Sequence, residues 1–570
     1  APATALPAPR RRGGSSSSGV CQFGNRARSM WRALFYLPVA TPPSCPASAA
    51  GLDGFGAAAC STQIAGRLRP HDLPEIPNFD EWTSNTSVPL DGGHQTVHVA
   101  RGDMAHLGVS GSSRFYVLPA LVTREEVQSI LALVNGSDAP VLDADPDSVD
   151  GMTSHEIFVD NDELRAGTLK HRPTAAPVPG KDVDAREVAA RRPLREKLRR
   201  IMQPILDERI TAFVRQQYPE SCGRTKARAC TPCYSLIRRY RSGERQAHGV
   251  HYDSHARVSV VVSLSDYGSE YRGGIYVAHG RASKRNLPLA RGDAVAHQSD
   301  LLHGVKVRDD GGERFSWILW YRDSAQCEDH SAEWYEPCAH AGGEGSAICQ
   351  HLLANKRMGA DDPTTDGIAW LQHAAEQGLA NSMVKLARAH LKQLGSRLAY
   401  SPAEAERLYR EAIARAEEPD AHFGLAQLLL QKGPAEGATP RQLLNEVVAH
   451  LEAAAKGGHE YAMFNLGIAH LYGYAESPGG AEGRPDQISL AGQWFEACGL
   501  AEGLEAASMY YASKGDAAKA QESKRRAAAM GYGTAWRKTA RQAVGSGGAG
   551  GVDLNMAWPK LPGGVAPPEW

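Results

Sequence analysis

The sequence predicts a multidomain chain in which an antiparallel β domain, a sandwich or jelly-roll barrel, precedes an all-α solenoid. Three observations carry this expectation. The 570 residues exceed one compact core and fit several domains of roughly 100 to 200 residues each. Between residues 234 and 321, short β-rich runs are separated by turn residues, with no helix-length periodic segment among them. Beyond residue 366 the chain becomes alanine-rich, and one small-to-large pattern recurs every 40 or so residues.

Composition narrows the function classes. Hydrophobic residues are 42% and charged residues 22%, an ordinary globular balance, and 63 basic against 64 acidic residues leave a formal charge of −1. No global field therefore draws nucleic acid or an anionic membrane. No apolar run approaches the roughly 18 residues that a membrane-spanning helix needs, so no transmembrane segment is expected.

Residues 1–75 are expected to be a disordered or targeting segment. The first fifty contain no Asp or Glu but carry Arg10, Arg11, Arg12, Arg26, Arg28 and Arg32. Read from Met30, a short basic stretch, an apolar stretch and Ala47-Ser48-Ala49 lean toward the secretory pathway and endoplasmic reticulum, with organelle targeting as the alternative. Asn85-Thr86-Ser87 and Asn135-Gly136-Ser137 match the glycosylation acceptor pattern. Residues 542–570 are Gly/Pro-rich and expected to form a flexible tail. Cys222, Cys230, Cys233, Cys327, Cys338 and Cys349 bracket the central segment. A disulfide framework and scattered free thiols both remain open, and Cys230-Thr-Pro-Cys233 lacks the second pair that a zinc site would need.

Taken in order, the β domain of residues 76–330 is expected to open its regular structure with an apolar strand at 115–118. Thr123 and Glu126 then form a capping box, and Val127, Ile130, Leu131 and Val134 give the following helix one buried face. Residues 138–192 read as a long surface excursion. A helix over 194–218 should be interrupted or kinked at Pro204. Strands are expected at 234–240, 257–264, 274–278, 293–297, 303–307 and 315–321, and residues 331–365 read as a linker.

The repeat shows in two registers. Ser382-Leu386-Ala387, Ala421-Leu425-Ala426, Ala462-Leu466-Gly467 and Ala506-Tyr510-Tyr511 form one, and Ala374, Ala412, Ala454, Ala497 and Ala528 form the other. Small residues let paired helices approach closely, and each hairpin buries its apolar face by stacking on the next. Residues 370–378 and 450–458 resemble Sel-one-like repeats, relatives of the tetratricopeptide repeat, over about 366–541. That resemblance implies a protein partner at the repeats; a bundle that only packs against the β domain is the alternative.

The chemistry centres on His251-Tyr252-Asp253, followed by His303 and then Arg314. At i and i+2 of an extended strand, His251 and Asp253 project from one face, and a third ligand from a distant strand can complete a cap on a metal ion. Two imidazoles and a carboxylate that leave positions open suit a non-haem Fe(II) oxygenase, whose cosubstrate and O₂ must both bind. His248, His255, His279 and His297 are rival ligands, with His255 on the same extended face. Arg314 and Ser316 share a face on the strand that returns beside His303, where a guanidinium fork and a hydroxyl can hold the far carboxylate of a 2-oxo acid. A structural salt bridge is the alternative for Arg314.

At these residues the sequence resembles the Fe(II)/2-oxoglutarate-dependent dioxygenases of the prolyl 4-hydroxylase type and their lysyl hydroxylase relatives. The matching elements are Tyr240-Arg-Ser-Gly243, His251-Tyr-Asp253, Tyr271-Arg-Gly-Gly274, Arg291-Gly-Asp-Ala294, Leu302-His-Gly-Val305 and Gly312-Glu-Arg-Phe-Ser316. The resemblance implies a double-stranded β-helix fold with its specific core over 234–321. It implies His251, Asp253 and His303 as iron ligands, Arg314 as anchor of 2-oxoglutarate, Tyr240 and Ser316 as further cosubstrate contacts, and O₂ and ascorbate as co-reactants. The chain departs from the pattern at Ile275-Tyr276, where prolyl hydroxylases often carry Glu-Thr after the two glycines.

The expected activity is hydroxylation of a protein or peptide side chain, proline first and lysine second. A nucleic-acid demethylase is disfavoured by the near-neutral charge, and a repeat scaffold with an inactive oxygenase domain is the remaining alternative.

Overall fold

Alternation of side chains along each strand builds the β domain from two facing sheets. In this computed structural model the described residues are 68–529, less 91–92, 104–111, 136–142, 147–152, 161–184, 220–230, 242–243, 279–283, 309–311, 323–334, 341–345, 360–365, 392–397 and 476–483. The expected N-terminal segment up to residue 67 and the tail therefore lie outside the described residues.

The strands are β1 (Ser84–Leu90), β2 (Gly93–Asp103), β3 (Ser112–Leu118), β4 (Asp143–Pro146), β5 (Thr153–Asp160), β6 (Thr231–Arg241), β7 (Ala247–His251), β8 (Val258–Ser263), β9 (Gly273–Ala278), β10 (Lys284–Asn286), β11 (Ala294–Gln298), β12 (His303–Val307) and β13 (Glu313–Arg322). A nine-stranded sheet runs β1-β2-β3-β11-β8-β13-β6-β5-β4, and a four-stranded sheet runs β10-β9-β12-β7. From β6 onward the chain passes back and forth between the two sheets, the winding of a double-stranded β-helix. This winding brings β7 and β12 side by side although their sequences are far apart.

On β13, Phe315, Trp317, Leu319 and Tyr321 point away from the small sheet into a core shared with the helices. Ile318 points the other way and packs with Leu236, Val261 and Val295 of the large sheet and Ile275 and Val277 of the small one. The helices on the outer face are α1 (Arg124–Asn135), α2 (Ala185–Ile205) and α3 (Thr211–Gln217). Thr123 caps α1, with its Oγ1 accepting from the Glu126 amide at 3.2 Å and its own amide donating to the Glu126 carboxylate at 2.8 Å. Pro204 does not end its helix. A π-helical turn over Leu206–Ile210 follows and α3 resumes directly, which re-phases the buried face after the proline.

Three sequence expectations change. Residues 138–192 are not only an excursion, because β4 and β5 lie within them and Ile157 and Val159 enter the core. The β1–β2 hairpin precedes the first expected strand. Its Ser-Asn-Thr-Ser-Val-Pro-Leu composition hides a strand that buries little. Residues 331–365, expected as linker, contain α4 (Tyr335–Ala339) and α5 (Ala347–Gly359), joined by a Cys338–Cys349 disulfide. Cys233 is also disulfide-bonded, so among the described cysteines only Cys498 is free.

The helical array continues as α6 (Asp366–Glu376), α7 (Ala380–His390), α8 (Pro402–Ala416), α9 (Pro419–Lys432), α10 (Pro440–Lys456), α11 (Glu460–Leu471), α12 (Arg484–Ala497), α13 (Ala501–Ser513) and α14 (Ala517–Ala529). The small-residue register is a packing device. A Cβ on Gly467 would come within 2.6 Å of the Phe495 ring, and one on Gly424 within 2.5 Å of Tyr409. Gly378 and Gly458, at φ +100° and +84°, reverse the chain after α6 and α10 in the left-handed region. The second register slips at its end: Ala374, Ala412 and Ala454 are fully buried, but Ala528 is exposed and Ala527 takes the inner position. No helix among the described residues is long and apolar enough to cross a membrane.

The array should be acid-sensitive. Burial lowers His450 to about 4, His459 to about 4 and His351 to about 3, from 6.5. The unfolded chain takes up protons below about pH 6.5 that the folded array refuses, so stability is present above that pH and is lost as pH falls toward 4. The midpoint of thermal unfolding is expected to fall across that interval, and His450→Gln, which removes one such group, should flatten the slope.

Candidate metal centre

Antiparallel pairing of β12 with β7 sets His303 directly opposite His251, with ring centroids 4.5 Å apart. Asp253 does not share a strand with His251 as expected. The strand ends at His251, and Asp253 sits in the turn before β8, where its carbonyl accepts from the Ala256 amide at 3.0 Å. Its carboxylate nevertheless points the same way: Oδ1 lies 3.4 Å from His251 Nε2 and Oδ2 lies 3.6 Å from His303 Nε2. One ligand atom from each residue falls within 4.8 Å of the others, the sole such group among the described residues.

The imidazoles are held with Nε2 turned toward the Asp253 carboxylate. Nδ1 of His251 donates to the Gly249 carbonyl at 2.8 Å, and Nδ1 of His303 donates to the Leu301 carbonyl at 3.0 Å. Each bond places the ring proton on Nδ1 and leaves the Nε2 lone pair facing the other ligands. Burial pushes His303 well below its ordinary range, and neighbouring His297 adds to the effect, so this ring is neutral at pH 7. Burial alone would raise Asp253, but His303 and His251 outweigh it and hold the carboxyl well below the usual carboxylate range. Ser259 Oγ donates to Asp253 Oδ2 from β8. Ser259→Ala should therefore weaken metal binding by about 10-fold, at the low end for outer-shell partners of a metal site, and isothermal titration with Co(II) measures it.

The rival histidines separate clearly. His255 is exposed and sets its ring edge-on to Trp320 at 4.6 Å, away from the group. His279 lies outside the described residues. The His248 ring lies tilted against His251 at 4.2 Å and the His297 ring tilted against His303 at 4.3 Å, so both line the centre without joining the set. His297 is fully buried, and its Nε2 has no hydrogen-bond partner.

Further along the interior, Arg314 on β13 pairs with Tyr240 on β6, and Ser316 with Ser263 on β8. Arg314 is 1% exposed, yet its Nε and Nη2 have no hydrogen-bond partner, and neither has Ser316 Oγ. The guanidinium lies 5.9 Å from the Tyr240 ring and 5.6 Å from that of Tyr271. Gly274, at φ +99°, makes room: a Cβ there would meet Tyr271 at 2.7 Å and Arg314 Nε at 3.5 Å. No salt bridge to Arg314 is present among the described residues, so the structural salt bridge weighed for it is not seen. Buried donors without acceptors are costly, and a forked cation in an aromatic pocket fits a carboxylate. The donor set at both ends thus fits Fe(II) and a 2-oxo acid.

Sequence reading missed two features here. Tyr271 was seen only as part of a motif, yet it walls the Arg314 pocket. Arg238 faces the interior opposite Ser316 and is held by Glu156 of β5, with Nη2 and Nε at 2.7 and 2.9 Å from one carboxylate oxygen. A period-two reading of 154–158 would have placed Glu156 on that inner face.

No protein-family model matches the chain, and no curated protein matches it. Solved structures with similar folds include a 2OG-Fe(II) oxygenase-family oxidoreductase from Burkholderia pseudomallei, at 21% identity and TM-score 0.25, covering 37% of this chain and 85% of that one. A Pseudomonas putida prolyl-4-hydroxylase is similar at 15% identity and TM-score 0.23, covering 37% and 93%. A Sel1 repeat protein from Oxalobacter formigenes is similar at 22% identity and TM-score 0.28, covering 37% of this chain and 58% of that one. Likeness at this level bears on neither activity nor substrate, which turn on the residues of the site.

Proposed function

We propose that the chain is a 2-oxoglutarate- and O₂-dependent non-haem iron hydroxylase. The observation that supports this most is the pairing of two features within one barrel: a convergent His251-Asp253-His303 group and a buried Arg314 whose Nε and Nη2 have no hydrogen-bond partner. His251, Asp253 and His303 would hold Fe(II) by one face, and Arg314 with Ser316 and Tyr240 would hold the distal carboxylate of 2-oxoglutarate. When bound, the iron and its cosubstrate supply the oxidation: one oxygen atom of O₂ enters succinate as CO₂ leaves, and the other enters a substrate C–H bond as hydroxyl.

The chain's own part is placement. The carbonyl-held imidazoles keep their Nε2 atoms free, Ser259 steadies Asp253, and the apolar wall of Leu236, Val261, Ile275, Val277 and Ile318 excludes water from the interior. The substrate favoured is a peptidyl proline, with lysine next, ascorbate as supporting reductant and a protein partner at the repeats. Succinate formation with Fe(II), ascorbate and proline-rich or lysine-bearing peptides tests this reading. Iron-loaded protein that makes no succinate with or without peptide would leave the scaffold reading, and salt-dependent DNA binding with demethylation would favour the nucleic-acid alternative.

A further inference from the structure

The sheet that carries both histidines has two faces, and the helices cover part of the one turned away from the ligands, around Ala278 and Leu302, while Val250 stays exposed. Ala278 at the end of β9 and Leu302, next to His303, are buried in one cluster with Tyr335, Ile348, Leu352 and Leu353 of α4 and α5. Tyr252, the residue between His251 and Asp253, packs against the same cluster, as does Trp370 of α6. Lys284 of β10 extends the contact: its Nζ donates to the Gly457 carbonyl at the end of α10 at 2.9 Å and lies 5.3 Å from the Tyr276 ring. Tyr276 in turn fills the space beside Gly304, where a Cβ would come within 2.4 Å of its hydroxyl. Every one of the three ligands is thus a chain neighbour of a side chain anchored in the helices.

The anchoring matters most at Asp253. It lies past the end of β7 and has no strand ladder to fix it. The Tyr252 hydroxyl is buried and has no hydrogen-bond partner, so the ring contributes by packing alone.

We propose that the helical array is part of the scaffold of the metal centre, and that Tyr252 is a positioning residue through which α4 to α6 hold His251 and Asp253 at ligating distance. The inference rests on the proposed metal role of the His251-Asp253-His303 group. A ligand pair freed to move relative to His303 should bind metal less tightly, on the scale of other outer-shell losses, about 10- to 100-fold.

The test uses the full chain and Co(II), followed by its visible absorption and by calorimetric titration. Tyr252→Ala should lower Co(II) affinity by about 10- to 100-fold and alter the absorption band, whereas Tyr252→Phe, which keeps the ring, should bind as the parent does. Trp370→Ala, made in the array itself, should weaken binding in the same direction and carries the test should Tyr252→Ala not fold. Phe495→Ala, in the distant α12, controls for lost stability and should leave Co(II) affinity unchanged. Parent-like affinity and absorption in Tyr252→Ala or Trp370→Ala would overturn the proposal, as would an equal loss in Phe495→Ala. Failure of the parent chain to bind Co(II) or Fe(II) would instead overturn the metal role of the three ligands.

Discussion

His303→Ala is expected to lose Fe(II) binding by at least about 100-fold and to bring succinate formation to background. Changes in the partners of a metal ligand already cost up to about 100-fold in affinity, so removal of a ligand itself costs at least that much. The site offers one atom from each of three residues, and His303 alone comes from the second strand. Without it, His251 and Asp253 remain as a pair from one short segment, with nothing opposite to close the face. The loss should be local. The ring is packed between His251 and His297, so alanine leaves a small cavity, and the Asp253 carboxylate keeps His251 and the Ser259 hydroxyl as partners. Circular dichroism should therefore remain that of the parent while metal content, measured after loading and desalting, falls to the level of a protein without a site. A variant that retains stoichiometric iron would mean that another histidine completes the set, with His297 the first candidate.

How much of this could be read beforehand depends on how local the physics is. The convergence of His251 and His303 and the inward turn of Arg314 were legible because all three lie on strands, where alternation sets side-chain direction and the order of the motifs fixes which strands meet. The turn that carries Asp253 was not legible, since nothing in His-Tyr-Asp marks where the strand stops. β5 escaped notice for a different reason. Its inner face holds Ser154, Glu156 and Phe158, so the apolar alternation that betrays a half-buried strand is broken by a carboxylate whose partner, Arg238, lies on another strand. The helices within 335–359 fall outside the repeat spacing, and they bury their apolar residues against one another, against Ala374 of α6, and against Ala278 and Leu302 beside the small sheet. Tyr252 is the extreme case. It lies between His251 and Asp253, but its packing is decided by helices whose docking no local pattern encodes. In the repeats, the small-residue spacing was legible because helix–helix approach imposes it directly, and it drifts toward the end of the array, where Ala507 and Ala527 take the inner positions in place of Ala506 and Ala528.

Arg314→Met should separate binding from stability. In the parent, a guanidinium is buried between two tyrosine rings with Nε and Nη2 unsatisfied, an arrangement that costs about 1 to 3 kcal/mol for each unmet group unless an anion arrives. Methionine fills a similar volume without charge or donors, so the cosubstrate-free variant is expected to unfold at a higher temperature than the parent, as happens when buried ionic groups give way to apolar ones. The same change removes the anchor. Loss of one partner from a buried, hydrogen-bonded charge pair typically costs about 2 to 5 kcal/mol, so affinity for 2-oxoglutarate should fall by roughly 30- to 4000-fold while Fe(II) affinity is retained. Arg314→Lys should recover part of the loss, because it restores the charge but not the fork. Thermal shift with and without 2-oxoglutarate reads both effects in one experiment: the parent should gain stability on addition of the 2-oxo acid, and the methionine variant should start higher and gain little. A methionine variant that is destabilised alone yet still stabilised by 2-oxoglutarate would show that Arg314 serves the fold and that the cosubstrate is held elsewhere.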